Sequence, residues 1–276
     1  IVVNNYIVGP GVDLSGAQLA GTDLSEAKLV GADLTGADLH QAIFPTSLPT
    51  LPVIGGAMVS VSDPLAVLGK VQVDDDGYLT ISSDSFTAAG INMDGGTVQL
   101  ESTVLDLDAT GALNGQGDIF GDVELGTTGL IEGGEMGIAL HGDVSGAGSI
   151  SNAIIDGDIN AEGQLALFSV RQEDGNATVS INLGGTAHGA IILGGNTLIN
   201  GALVINLIDG FNPSGGDVFD LLDFQSVNPS NIFPAVNMPE LPSNLFWDDS
   251  DLFTTGELHV ILLGDINRDS VVDGGD

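Results

Sequence analysis

Gly117-Asp118-Ile119-Phe120-Gly121-Asp122-Val123-Glu124-Leu125 typifies the stretch Gly95–Leu167, in which short aliphatic pairs are separated by Gly and Asp. No helical period develops there. Two phrases recur. Gly followed two residues later by an aliphatic side chain appears at Gly111-Ala112-Leu113, Gly129-Leu130-Ile131, Gly148-Ser149-Ile150 and Gly163-Gln164-Leu165, in steps of 18, 19 and 15 residues. Gly-Asp-aliphatic appears at Gly117, Gly121, Gly142 and Gly157. A drifting repeat of this length, made of very short strands and Gly/Asp corners, predicts a β-solenoid. One coil cannot bury its own apolar face, so coils must stack.

The bulk composition fits. Only 5% of the chain is aromatic, which suits a narrow interior of Val, Ile, Leu and Ala, and 41 glycines supply corners that accept positive φ. The net charge of −34, with Lys28, Lys70, Arg171 and Arg268 as the fixed cations, excludes nucleic-acid or anionic-membrane binding through a basic patch. No run approaches the roughly 18 apolar residues of a membrane span. There is no cysteine, so disulfides contribute nothing. The start Ile1-Val2-Val3 lacks Met, which predicts a mature chain exported to the extracellular space or cell surface after leader removal.

From Val12 a five-residue period takes over. Leu14, Leu19, Leu24, Leu29, Leu34 and Leu39 recur with Phe44 in the seventh slot, small residues stand two before each next leucine (Ala17, Thr22, Ala27, Ala32, Ala37, Ala42), and Gly16, Gly21, Gly31 and Gly36 stand two after. Ala32-Asp33-Leu34-Thr35-Gly36 shows the full quintet. This segment resembles the pentapeptide-repeat family. The resemblance implies a right-handed square helix of four quintets per coil with Leu and Ala inside. Seven quintets make fewer than two coils, so they are expected to extend or cap a larger solenoid.

Around this segment the expected organisation is a terminal strand arm over residues 1–11, pentapeptide coils over 12–44, a Pro-rich linker over 45–56 (Pro45, Pro49, Pro52) with a crossing segment as the alternative, the solenoid proper over 57–208 and a strand-rich C-terminal cap over 209–263. The arm, with Ile1, Val2, Val3, Tyr6, Ile7 and Val8, reads as a free strand able to add to a neighbouring subunit, with a first coil folded back on its own chain as the alternative. Asp74-Asp75-Asp76-Gly77 reads as a turn, and its carboxylates are weaker candidates for Ca²⁺. The phrases Asp217-Val218-Phe219-Asp220-Leu221-Leu222-Asp223, Leu245-Phe246-Trp247-Asp248 and Leu252-Phe253-Thr254-Thr255-Gly256-Glu257-Leu258-His259-Val260 resemble the C-terminal region of bacterial exported proteins with autotransporter-type strand repeats, over about residues 180–276. The closing residues 264–276 place Asp265, Asn267, Asp269, Val271, Asp273 and Asp276 at positions 1, 3, 5, 7, 9 and 12 of an EF-hand-type loop, as in dockerins. Ser270 replaces the usual Gly, Asp276 replaces Glu, and a single loop stands where dockerins have two, so calcium is the implied cofactor and cohesin binding is not supported.

No catalytic set emerges. His40, His141, His188 and His259 share no ligand spacing and read as surface or corner residues. There is neither a Gly-x-Ser-x-Gly elbow nor a phosphate-cradling loop with Lys. Pairs of carboxylates suited to glycoside hydrolysis will arise by chance among 38 acidic residues. The expectation is therefore an all-β, right-handed β-solenoid that is not an enzyme. It would assemble with copies of itself, head to tail, into an extracellular filament, sheath or surface layer by end stacking and strand addition. The alternatives are a monomeric surface adhesin or carbohydrate-binding stalk, with polysaccharide as partner, and a β-helix polysaccharide-degrading enzyme.

Overall fold

The computed structural model describes residues 1–265 apart from residues 30, 31, 35, 40, 45, 46, 49, 50, 54, 55, 62–64, 75, 83–85, 102, 103, 108–111, 128, 185–187 and 226–231. The described chain is all-β, without a helix, and winds as a β-solenoid with pentapeptide repeats at its N-terminal end. Strands of successive coils pair in parallel and stack into columns.

The quintets form the corners of the first coils for a local reason. Leu14 O accepts from Ala17 N at 3.0 Å, and Leu19, Leu24, Leu29, Leu34 and Leu39 repeat this bond to the residue three on. Gly16, Gly21 and Gly36 hold φ of 64°, 64° and 66° at the third position of the turn, the type II requirement. Gln41 takes the same slot at φ 57°, so Gly is favoured there but not obligatory. Ser15 donates its hydroxyl (2.6 Å) and its N–H (2.9 Å) to Asp13, and Ser25 does the same for Asp23. Those bonds, the hydroxyl's foremost, hold both carboxyls below their ordinary range.

Four quintets make one coil, as the resemblance implied: Asp13 bridges Asp33, Gln18 bridges Asp38 and Asp23 bridges Ile43, each partner four quintets further along. The step then continues without a break. Leu39 pairs with Val59, Val59 with Leu79, Leu79 with Val98, Val98 with Ile119, Ile119 with Leu140 and Leu140 with Ile155. Each of these side chains is at most 1% exposed. A second inward ladder runs Leu51, Val71, Ile91, Leu113, Ile131, Ile150, Leu167, Leu193. A third runs Leu105, Val123, Val144, Ile159, Val179, Leu203. Parallel sheets usually bury both faces and lose their alternation. Here only the inner face is covered, so Leu105–Leu107, Val123–Leu125 and Ala153–Ile155 alternate inward aliphatic and outward residue.

The Gly-Asp-aliphatic phrase marks a corner stack. Asp122 Oδ1 accepts from Asp143 N (3.0 Å), Asp143 Oδ1 from Asp158 N (2.8 Å) and Asp158 Oδ1 from Thr178 N (2.6 Å). Each carboxylate satisfies the backbone of the next coil. The preceding glycines are needed because a Cβ at Gly142 or Gly157 would collide with the carbonyl oxygen of Gly121 or Gly142. The first ladder closes on Gln172, fully buried below Ile155. Its amide donates to Gly157 O (3.0 Å) and Thr178 O (3.2 Å) and accepts from Gly201 N (3.1 Å), so this polar group in an apolar column is paired on both sides.

Four sequence expectations need correction. Residues 1–8 are not a free arm. Val2–Val3 and Tyr6–Ile7 form an antiparallel hairpin, because Asn4 (φ 46°) and Asn5 (φ 67°) make a two-residue turn with both central residues at positive φ. Within the proposed linker over 45–56, described residues belong to the column: Ser47–Leu48 pairs with Ala66–Val67 and Leu51–Val53 with Val71–Val73, and Leu51 and Val53 are fully buried. The solenoid also runs past residue 208, since Leu222–Gln225 pairs with Ile191–Gly194 and Val236–Asn237 with Leu203–Val204. Lastly, Gly148 pairs with Leu165 rather than Gly163, and Ile150 with Leu167 rather than Leu165, so the last coil of the first phrase is longer than its glycines suggest. A shift of two keeps every side chain on its face.

At each end of the column, flanking segments of the chain pack against the core. At the N-terminal end Val8 is buried at 1% and joins the core, Val3, Tyr6 and Val12 pack on it, and Gln18 N donates to the Tyr6 hydroxyl at 3.2 Å. At the other end Val218–Asp220, Glu257–Leu262 and Leu245–Asp248 form a three-stranded antiparallel sheet. Its inner side chains Phe219, Leu258 and Val260 are buried at 7%, 0% and 1%. Phe219 meets Phe211 edge-on at 6.0 Å and Trp247 at 6.2 Å, and the indole N–H donates to Pro239 O at 2.8 Å.

Candidate functional site

Three long strands, Phe86–Leu100, Ala112–Phe120 and Leu130–His141, each pass from one column to the next around a glycine bend. Gly95, Gly117 and Gly137 hold φ of 96°, 141° and 81° there, and a Cβ at Gly117 would strike the Gly96 carbonyl oxygen. The bend leaves a groove of about 650 Å³ on the flank of the solenoid, within the size range of ligand pockets. Asp74, Asp94, Gln116 and Asp118 line it together with Met136, Ala139 and Ile154. Met136 is 82% exposed, an apolar side chain presented to solvent.

The polar groups are held in place. Gln72 Nε2 donates to Asp74 Oδ1 at 2.6 Å, and Gln116 Nε2 donates to Asp94 Oδ1 at 3.0 Å. Asp74 and Asp94 are register partners, as are Asp94 and Gln116, so acceptors recur once per coil, about 4.8 Å apart. A carboxylate accepts at roughly four lone-pair sites, so each keeps capacity after one bond. Asp118 faces His141, whose Nε2 lies 3.1 Å from Asp118 Oδ1 and whose Nδ1 lies 2.6 Å from Asp156 Oδ2. The ring stacks on Phe120 at 4.5 Å and 16°. Chemically, the flank offers fixed hydrogen-bond acceptors beside a small apolar platform.

Of the residues singled out from sequence, Asp74 lines the groove and His141 stands beside it, and the other described ones fall elsewhere. In the Asp74–Gly77 phrase, Asp76 holds φ 63° and Gly77 N donates to Asp74 O at 2.8 Å, while Asp75 lies outside the described residues. Of the candidate calcium ligands, Asn267, Asp269, Val271, Asp273 and Asp276 lie outside the described residues, and Asp265 is buried at 4% with its N–H donating to Leu262 O. Among the described residues no group of three His, Asp or Glu side chains is placed to hold a metal ion. His188 meets Phe219 edge-on, His259 stands 3.6 Å from both Asp251 and Glu257, and His40 lies outside the described residues. The groove and the His141 cluster were not anticipated. Asp118, His141 and Asp156 are distant in the chain, and only the coil register brings them together.

Residues 11–44 match the family described as Pentapeptide repeats (8 copies). No curated protein and no solved structure matches the chain.

Proposed function

We infer that this chain is a solitary, self-capped stalk at the outside of a bacterial cell, whose flank binds hydroxyl-rich polysaccharide. The observation that carries the reading is that the chain packs segments of its own at both ends of the column. Strand pairing between solenoid ends needs open backbone edges, and we take the hairpin at one end and the three-stranded sheet at the other to stand in the way of a second copy. The flank then remains as the long accessible surface, and the groove lies on it. The likeness of about residues 180–276 to autotransporter-type strand repeats supports an exported, extracellular setting. Neutral sugars suit a chain of net charge −34 better than anionic ones, and a pyranose offers both hydroxyl donors for Asp74, Asp94 and Asp118 and an apolar face for Met136.

Calorimetric titration with neutral hexasaccharides (cellohexaose, mannohexaose, chitohexaose) tests this. At least one is expected to bind, and Asp94→Ala to weaken it about tenfold, the range of a hydrogen bond to a charged group. Binding that survives Asp94→Ala and Met136→Ser unchanged would place the sugar elsewhere. The same panel, followed for cleavage, checks the polysaccharide-degrading alternative. Calcium at the dockerin-like ending belongs to the same proposal. Chelation is expected to lower the melting temperature, and an unchanged melting curve in EDTA removes the ion from it.

One observation favours the self-assembling filament or sheath as a second reading. The outer face of the hairpin exposes Ile1 (52%), Val2 (71%) and Ile7 (68%), which offers apolar stacking in place of strand addition. Fibres in negative stain would establish it.

A further inference from the structure

His141 cannot satisfy its surroundings as a neutral ring. A neutral imidazole carries one N–H, whereas both ring nitrogens lie within hydrogen-bond distance of an ionised carboxylate, Nδ1 at Asp156 and Nε2 at Asp118. With one proton, one contact sets a lone pair against a lone pair. With two, both contacts are charge-assisted hydrogen bonds. The three side chains come from three successive coils: Phe120 pairs with His141, and Ile155, beside Asp156, pairs with Leu140. The charged groups that face the ring are Asp118 from the coil before and Asp156 from the coil after, with the neutral Phe120 ring stacked on its face.

We propose that His141 is a proton-operated clasp on the groove: doubly protonated it ties three coils together and fixes Asp118, and on losing a proton it lets the groove wall loosen. The clasp rests on the groove reading only for what it serves, because its own state is measured without ligand. Burial opposes the charge on His141, but the hydrogen bonds to Asp118 and Asp156, with their negative charges, outweigh it and raise the pKa above the ordinary value. Folding thus favours the charged form. Its contribution to stability is complete below the unfolded-state value of about 6.5 and is lost as the pH rises through the higher folded-state value. A fixed Asp118 spares a ligand the ordering of that side chain, so hexasaccharide affinity is expected to rise about two- to tenfold on acidification.

The test is a proton NMR titration of the histidine rings in the full chain, assigned by His141→Gln, with melting curves alongside. His141 is expected to titrate above 6.5 and to move down in Asp118→Asn and Asp156→Asn. The melting point of His141→Gln is expected to fall below wild type by on the order of 2–4 °C in acid and to rejoin it in alkali. A His141 that titrates at or below its ordinary value, or a His141→Gln deficit equal at every pH, overturns the clasp. Hexasaccharide binding equally tight on both sides of the transition overturns its control of the groove. A clasp that titrates as stated while no hexasaccharide binds supports the clasp and sinks the groove's ligand.

Discussion

Gly115→Ala is expected to destabilise the chain by about 3 kcal/mol or more, at the large end for single substitutions. Gly115 holds φ at 111°, which L-residues rarely adopt, and it faces Met93 on one coil and Gly133 on the other. A Cβ there would fall inside the carbonyl oxygen of Met93, and that atom belongs to backbone rather than to a movable side chain. Relief requires the two coils to separate, which breaks the parallel ladder beside Leu113 and Ile91. Gly16→Ala is the control. It also has positive φ (64°), but nothing lies within 4 Å of its would-be Cβ, so only the left-handed backbone cost of about 1–2 kcal/mol applies. Urea midpoints should separate the two variants clearly. Equal losses would mean that close coil contact is not what selects glycine at this bend.

Gly256→Ala should unseat the C-terminal cap. Gly256 (φ 93°) lies against the last coil, where its carbonyl accepts from Leu221 N (2.9 Å) and Leu222 N (3.2 Å). A Cβ would overlap the Leu222 carbonyl oxygen, so those two bonds and the methyl group cannot coexist. Losing the cap would bare Phe219, Leu258 and Val260, each worth about 1.5–3 kcal/mol when buried, and open the strand edge at Leu222–Gln225. The expected result is concentration-dependent association under conditions where wild type stays dispersed. A variant that remains dispersed, with an unchanged melting curve, would show that the antiparallel sheet does not seal that end.

Much of this architecture can be read from residues alone. Leu19, Leu39, Val59, Leu79 and Val98 recur at close to four-quintet spacing, and this single ladder crosses the boundary where the quintet leucines stop. The drift beyond Val98 is harder, because the corners take up insertions that the strands do not show: the step from Leu140 to Ile155 is far shorter than the step from Leu167 to Leu193. Proline misled the reading of residues 45–56. Pro52 sits in a paired strand between two buried residues, so its presence did not end the column. The hairpin hid in Asn4-Asn5, a turn whose chemistry resembles the Asn-Gly signal without its glycine.

The groove was invisible for a different reason. Asp74, Asp94 and Gln116 belong to different coils, and nothing in their neighbours marks them as a set until the register is known. Gly-Asp phrases were legible as repeats but not as a function. The stack Asp122, Asp143, Asp158 uses its carboxylates to hold backbone, whereas Asp118, in the same phrase, turns to His141 and the groove. Sequence alone cannot separate those roles, because the corner on which each phrase falls decides what the carboxylate meets.

If the chain's own hairpin and antiparallel sheet keep a second copy from the ends of the column, as proposed above, the protein stays a single chain in solution. Sedimentation velocity of the intact protein over a hundredfold range of concentration tests that most directly. A single elongated species with the mass of one chain is expected throughout. A mass that climbs with concentration towards head-to-tail fibres would contradict it.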